Sequence, residues 1–200
     1  MNDSEGRKRR FIFVIGKGTL GKLLACDNDL THISIGDLLR ENAASSAAIG
    51  WHVKNGALLP TEFLFPLLRE TVCDSPAGCP IVLDGFPRRL DQALAFERVF
   101  GEPALVLFFQ CPREVACQRV VNRAGRPADN SEGFGKRYKE YLELNPDVLD
   151  HYGSTRGKDK LVEVNTSGAT ETSYAMLLAA LNKRKEWSDL VYSDNSTPSP

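Results

Sequence analysis

The sequence predicts an α/β protein whose five-stranded parallel sheet is covered by helices on both faces. Short segments rich in β-branched and aromatic residues alternate along the chain with segments of helical periodicity. The first of them, Phe11–Ile15, is an apolar run bounded by glycine, which is typical of a buried strand. It is followed at once by Gly16-Lys17-Gly18-Thr19, a junction of the kind at which a strand leads into a helix and phosphate is often bound.

The predicted strands, in chain order, are Phe11–Ile15, Thr31–Ser34, Pro80–Asp84, Ala104–Gln110 and Lys160–Asn165. Each is bounded by turn residues. The predicted helices are Thr19–Asp27, Gly36–Asn42, Thr61–Cys73, Arg89–Phe100, Pro112–Arg123, Gly133–Leu144 and Ala169–Lys185. Because strands and helices alternate, we expect a parallel sheet within one domain over residues 11–187.

The two ends of the chain differ from this domain in composition. Residues 1–10 form a basic extension, whose run Arg7-Lys8-Arg9-Arg10 we interpret as a solvated entry to the first strand. Residues 188–200 are rich in Ser, Thr, Pro, Asn and Asp, which predicts a disordered tail.

The overall composition favours a globular cytoplasmic protein. The chain has 200 residues, of which 42% are hydrophobic and 26% charged, enough for one domain with a core. A net charge of −1 gives no support to nucleic-acid binding. The five cysteines are odd in number and lack CxxC spacing, so we expect reduced thiols. No run is apolar enough for a membrane span, and no signal peptide opens the chain.

The most informative segment runs from Asp84 to Gln92. Asp84 ends an apolar strand and therefore lies at the carboxyl edge of the predicted sheet, where a hydrated magnesium ion can be held. Gly85 and Pro87 turn the chain at this point. Arg88 offers a guanidinium suited to a phosphate, and Gln92, four residues on, offers an amide for a base. Together they predict a mononucleotide site.

This segment resembles the nucleoside monophosphate kinase family, most of all the adenylate kinases. Similar motifs are Ile15-Gly-Lys-Gly-Thr19, His32-Ile-Ser-Ile-Gly-Asp-Leu-Leu-Arg40 and Gly56-Ala-Leu-Leu-Pro60. The resemblance covers residues from about Phe11 to Lys183. It implies a P-loop kinase-like, doubly wound sheet with a monophosphate-binding insertion at about 36–66 and a short lid at about 123–131. It also implies a monomer that converts ATP and AMP to two ADP with Mg²⁺.

On the monophosphate side, the resemblance implies that Arg40 and Arg88 hold the phosphate and that Gln92 reads adenine. Pyrimidine kinases of the family tend to have asparagine in place of this glutamine. The stretch Leu58–Leu59 borders the base, and Gly85 lies beside Asp84, which holds magnesium through water. Ile35 stands where adenylate kinases usually have threonine, so one hydroxyl beside the purine is lost.

On the triphosphate side, four arginines match the family order: Arg119, Arg123, Arg126 and Arg137. By resemblance Arg119 stacks on the ATP base, and the other three surround the phosphate that is transferred. Such a group suits phosphoryl transfer, which requires fixed cations and no protein nucleophile. Ala128 replaces the first of two aspartates that orient these arginines in the family, so Asp129 must act alone.

The phosphate-binding loop departs from the family. Gly16-Lys-Gly-Thr-Leu-Gly21-Lys22 fits the GxxxxGK spacing, but this frame shortens the first helix. We prefer the frame in which Lys17 is the phosphate lysine, with Gly16, Gly18 and Thr19 beside it, because the later motifs then align without a gap. The loop is then about five residues shorter than the pattern. Losing about three N–H donors would remove on the order of 5–9 kcal/mol of phosphate binding.

Three interpretations follow. The chain is an adenylate kinase-like enzyme whose ATP-dependent transfer is slowed by the short loop, a catalytically weak module that binds AMP or another nucleotide, or a chain that lost the loop through the derivation of its sequence. A UMP/CMP kinase-type enzyme is the alternative within the family. The three histidines, His32, His52 and His151, have no clustered acidic partner in the sequence, and we interpret them as structural.

Overall fold

The structure, a computed structural model, describes residues 9–16, 19–122, 129–153 and 159–192. Its strands are β1 Phe11–Ile15, β2 Thr31–Ser34, β3 Ile81–Asp84, β4 Leu105–Gln110 and β5 Leu161–Asn165. They form one sheet in the order β2-β3-β1-β4-β5, and all four pairings are parallel. The predicted α/β class and five-stranded sheet are confirmed, and the architecture is that of a P-loop kinase.

The helices that connect the strands cover both faces of this sheet. Their bounds are α1 Leu20–Asp27, α2 Ile35–Glu41, α3 Ala47–Asn55, α4 Thr61–Asp74, α5 Leu90–Phe100, α6 Arg113–Asn122, α7 Ser131–Tyr152, α8 Thr170–Leu181 and α9 Lys185–Val191. No helix in the ranges just given is long and apolar enough to cross a membrane.

Side chains that alternate along the strands build two cores. On one face, Phe11 and Phe13 of β1 pack with Phe96, Phe100 and Tyr152 of the helices α5 and α7. On the other face, Ile12 and Val14 join residues of α1, α8 and α9. Because β1 is buried on both faces, it forms the centre of the sheet. The loop that follows its carboxyl end therefore lies at the middle of the carboxyl edge of the sheet.

The structure differs from the predicted helices in three places. Helix α3 was not predicted, because its mixed sequence lacks a clear apolar stripe. Helix α7 was expected to end at Leu144, but it continues through Pro146, since Val148 and Tyr152 beyond the proline are fully buried.

The predicted helix Ala169–Lys185 is instead two helices, α8 and α9. The chain turns between them, where the guanidinium of Arg184 donates to the backbone oxygen of Asp159. Trp187 and Leu190 are buried, so Ser188–Val191, predicted as the start of a disordered tail, are helical. Residues 193–200 lie outside the described residues.

The connection between β1 and α1 is short. Strand β1 ends at Ile15 and α1 begins at Leu20, so only residues 16–19 join them. Gly16 has a φ of +113°, and a Cβ at this position would lie 2.7 Å from the backbone oxygen of Phe109 in β4. Only glycine can make this close approach without displacing the end of β4.

Candidate active site

The carboxylate of Asp84 lies at the carboxyl end of β3. It is the last residue of the strand and pairs in register with Ser34 of β2. Its Oδ2 is 3.3 Å from Nε2 of His32, which also belongs to β2. Helix α1 comes close from the other side, because a Cβ on Gly21 would lie 3.7 Å from the same carboxylate oxygen. Asp84 is therefore fixed at the site edge between β2 and α1.

The carboxylate of Asp84 suits a magnesium ion that arrives bound to a nucleotide, since one carboxylate supplies too few ligands to hold the ion alone. Within the described ranges, no group of three or more His, Cys, Asp or Glu side chains could hold a metal. Mg²⁺ prefers six oxygen ligands, keeps several waters and is often bound by one carboxylate together with substrate phosphates. Asp84 can supply that single carboxylate, directly or through water.

The turn after Asp84 is held against β1. The backbone N–H groups of Gly85 and Phe86 both donate to the oxygen of Val14, over 3.0 and 3.2 Å. The Phe86–Pro87 peptide bond is cis, and the Phe86 ring is buried edge-on against Phe13 at 5.0 Å between centroids. This packing directs the chain from the strand edge to Arg88.

The guanidinium of Arg88 lies in a mixed electrostatic environment. Its Nε donates to the backbone oxygen of Gly85 over 3.2 Å. Burial lowers the pKa of Arg88 from its ordinary value, and the charge of Arg137 lowers it further, while Asp84 and Glu140 act in the opposite direction. Two cations are therefore held together in a poorly solvated place, which favours an incoming anion.

Arg137 reaches this group from α7. Its guanidinium pairs with the buried carboxylate of Asp129 at 3.3 Å, as expected if Asp129 orients it. In the part of the chain that the structure describes, its Nε is buried without a hydrogen-bond partner, and so is Oε2 of Glu140. A buried guanidinium N–H without a partner is costly, and a phosphoryl oxygen would satisfy it.

Gln92 lies in the first turn of α5 and is buried. Its Oε1 accepts from the backbone N–H of Arg88 over 3.0 Å, and its Nε2 donates to the backbone oxygen of Leu59 over 3.5 Å. Leu59 is buried and Leu58 half-buried in the segment before α4, while Ile35 is buried at the start of α2. The two backbone bonds join Gln92 to both Arg88 and the Leu58–Leu59 segment.

Arg40 belongs to the last turn of α2. Its guanidinium pairs with Asp37, one turn earlier, and lies close to Gly36, where a Cβ would come within 3.2 Å of it. The side chain is about one-third exposed, so it remains accessible to a ligand.

Arg119 lies on α6 and binds the loop between β5 and α8. Its guanidinium donates to the backbone oxygens of Thr166, Ser167 and Gly168 over 2.5, 3.3 and 2.6 Å. The planar group is thereby fixed beside this loop.

The predicted phosphate loop is described only at its ends. Gly16 lies close to Phe109, and Thr19 is exposed immediately before α1. Lys22 is the third residue of α1. Lys17, Gly18, Arg123 and Arg126 lie outside the described residues, as do residues 1–8 of the predicted extension and residues 123–128 of the predicted lid.

Two residues of this site were missed in the sequence. His32, interpreted as structural, contacts Asp84, and Glu140 lies in the field of Arg88. His151, also interpreted as structural, has Glu97 as an acidic partner at 3.1 Å, away from the Asp84 edge. Only the strand order could have indicated the first contact, since placing β2 beside β3 brings His32 and Asp84 together.

The comparisons with known proteins identify the family of this chain. The family model described as adenylate kinase matches residues 14–157. The uridylate kinase of Saccharomyces cerevisiae is 34% identical over 178 residues, 82% of this chain and 86% of that protein. UMP-CMP kinase 2 of Oryza sativa is 36% identical over 179 residues, 84% of this chain and 72% of that protein. Adenylate kinase isoenzyme 1 of Caenorhabditis elegans is 33% identical over 185 residues, 86% of this chain and 87% of that protein. The chain belongs to the adenylate kinase family of nucleoside monophosphate kinases.

Proposed function

We propose that the protein transfers a phosphoryl group from ATP to AMP, yielding two ADP. The observation that carries this proposal is the pair formed by Arg88 and Arg137, with the buried, unpartnered Nε of Arg137 beside a guanidinium whose pKa is lowered by burial. Fixed cations at a poorly solvated position stabilise the charge that spreads over the transferred phosphoryl group. In this proposal Arg40 and Arg88 hold the monophosphate, and Gln92 reads its base.

In this proposal the triphosphate binds at the same edge of the sheet, on the side opposite the monophosphate. Arg119 supports its base, while Lys17, Arg123, Arg126 and Arg137 contact its phosphates in the proposed complex. Asp84 would hold, through water, the magnesium ion that accompanies ATP, and that ion would neutralise phosphate charge. Residues 36–66 act as the monophosphate-binding insertion and residues 123–131 as the lid of a monomeric enzyme. The five free cysteines support the cytoplasmic location proposed from the sequence.

A pyrimidine monophosphate is the alternative acceptor. The named relatives include a uridylate kinase and an adenylate kinase at nearly the same identity, 34% and 33%, so overall similarity does not select the base. Gln92 favours AMP, because a glutamine reaches further than the asparagine of pyrimidine kinases. The buried Ile35 lacks the hydroxyl typical of adenylate kinases and favours the alternative.

The short β1–α1 connection favours a second function, a nucleotide-binding module with slow or no transfer. Only residues 16–19 join β1 to α1, whereas the GxxxxGK[ST] loop needs about eight. The backbone N–H groups that would surround the β-phosphate of ATP are then reduced in number, while the monophosphate side keeps Arg40, Arg88 and Gln92.

A coupled assay of the purified full chain with ATP, AMP and Mg²⁺ tests the enzyme, and calorimetric titration with each nucleotide tests the module. ADP formation at rates typical of the family supports the enzyme and contradicts the slowing effect of the short loop. Binding of AMP without binding of ATP, and without ADP formation, supports the module. Absence of binding by either nucleotide contradicts both functions.

A further inference from the structure

The hydroxyl of Thr61, the first residue of α4, is bonded to another helix. It donates to Oδ2 of Asp91, in the first turn of α5, over 2.5 Å. Pro60, which precedes α4, has no side-chain oxygen that could cap the helix in the usual way. The side chain at the start of α4 therefore joins the starts of two helices.

The carboxylate of Asp91 is held at both of its oxygens. Oδ1 accepts from Nε of Arg89 over 2.8 Å, while Oδ2 accepts from Thr61. Burial raises the pKa of Asp91, but the bonds from Thr61 and Arg89 outweigh burial and lower it, so the group is ionised at neutral pH. Hydrogen bonds from a hydroxyl to a carboxylate are short and about twice as strong as those between neutral groups. Thr61 thus donates to an oriented, charged acceptor.

A fixed Thr61 also fixes the chain just before it. The φ of Pro60 is −57° and is locked by its ring, and its backbone oxygen accepts from the N–H groups of Phe63 and Leu64 over 3.1 Å each. The residue before a proline, here Leu59, is restricted to extended conformations. Because these two residues have little freedom, the position of Thr61 sets the position of Leu59.

Leu59 belongs to the Leu58–Leu59 segment, which the proposed function places beside the base. It is 3% exposed, and its backbone oxygen is 3.5 Å from Nε2 of Gln92, at the limit of a hydrogen bond. A contact of this length contributes little to holding the segment. The 2.5 Å bond of Thr61, two residues later, is the stronger link between this part of the chain and α5.

We infer that Thr61 and Asp91 are positioning residues of the monophosphate site, because the bond between their side chains holds the Leu58–Leu59 segment against the start of α5. Neither side chain has to contact the nucleotide. The inference rests on the proposed function, which supplies the base beside this segment. It assigns the position of the segment to two side chains outside the groups proposed to bind phosphate and base.

Thr61→Val tests the inference, because valine keeps the branched shape of threonine but cannot donate. We expect the Kd for AMP to rise about three- to tenfold, while the Kd for ribose 5-phosphate, which has no base, stays within about twofold. Thr61→Ser keeps the hydroxyl and should bind AMP within about twofold of the unchanged protein. Calorimetric titration of the full chain gives each constant.

Thr71→Val is the matched control on the same helix. The hydroxyl of Thr71 donates to the backbone oxygen of Leu67, one turn earlier in α4, over 2.9 Å, so its loss leaves the link to α5 unchanged. Equal AMP affinities of Thr61→Val and Thr71→Val would overturn the inference. Equal losses of affinity for AMP and ribose 5-phosphate would also overturn it, since they would show a general disturbance of the site.

A double variant tests whether the two side chains act through one bond. If they do, Thr61→Val combined with Asp91→Ala should bind AMP no more weakly than the weaker of the two single variants, whereas fully additive losses would contradict the inference. Failure of the unchanged chain to bind AMP would overturn the proposed function as well. AMP binding that Thr61→Val leaves unaltered would overturn this inference alone.

Discussion

Nε2 of His32 lies 3.3 Å from Oδ2 of Asp84, and this contact joins the carboxyl ends of two neighbouring strands. Both side chains are about one-fifth exposed, so the pair is reachable by ligand but shielded from bulk water. One oxygen of the carboxylate thus has a protein partner, and the other can face the waters of a metal ion.

Asp84→Asn should weaken the dependence on magnesium. The carboxamide keeps the size of the side chain but loses the negative charge that holds hydrated Mg²⁺, so we expect kcat to fall about 10- to 100-fold and the Mg²⁺ needed for half activity to rise. A magnesium titration of the coupled assay measures both values. Asp147→Asn, an exposed change in α7, is the control. An unchanged magnesium requirement would remove Asp84 from the proposed metal site.

Arg88→Ala should abolish most binding of the monophosphate. A charge-assisted hydrogen bond contributes about 1.5–3 kcal/mol, so the Kd for AMP should rise at least about tenfold. Arg98→Ala, which removes an exposed arginine from the last turn of α5, should leave that Kd unchanged. Calorimetry gives both constants, and equal effects of the two variants would contradict a specific role for Arg88.

Insertion of about five glycine-rich residues between Ile15 and Gly16 should raise the rate of transfer from ATP, if the short connection limits it. Recovery of about three N–H contacts corresponds to several decades of rate when it acts on the transition state. The same insertion after Ala77, in the loop between α4 and β3, controls for chain length. If both variants match the unchanged chain, the connection is not what limits catalysis.

Arg119→Ala should loosen the loop between β5 and α8. Three backbone oxygens lose their donor, and we expect the free energy of unfolding to drop by about 1–2 kcal/mol, since these contacts are largely exposed. Arg119→Lys keeps the charge but loses the planar fork, so the stability of this variant should lie between that of the unchanged protein and that of Arg119→Ala. Thermal unfolding measures the order, and a lysine variant as unstable as the alanine variant would mean that charge alone contributes nothing.

Asp91→Asn should cost stability at neutral pH and not in acid. Burial raises the pKa of Asp91, but hydrogen bonds from Thr61 and Arg89 outweigh it, so the pKa lies below its ordinary value. A lowered pKa stabilises the folded state above pH of about 4, and this contribution is lost as the pH falls through the folded value.

Because the Asp91 side chain is 48% exposed, solvent screening limits the effect to below about 1 kcal/mol. Denaturant unfolding from pH 7 to about pH 3 tests the sign, with Asp147→Asn as the comparison. A stability difference that grows towards low pH would contradict this assignment.

Local sequence predicted the parts of this molecule that depend on neighbours along the chain. All five strands and the turn at Gly85 and Pro87 were found, because apolar runs and turn residues mark them directly. Contacts between segments that are distant in the sequence were not predicted. His32 meets Asp84 only because β2 lies beside β3, and the charge of Glu140 acts on Arg88 only because α7 packs against α5. Pro146 misled the prediction of α7, since burial of the turns beyond it outweighs one lost backbone bond.

Gly16 lies close to Phe109 of β4, so the end of β1 stays packed against its neighbouring strand although the link to α1 is short. Strand β1 pairs in parallel with both β3 and β4 although only residues 16–19 link it to α1, so a short link at this edge is compatible with an intact centre of the sheet.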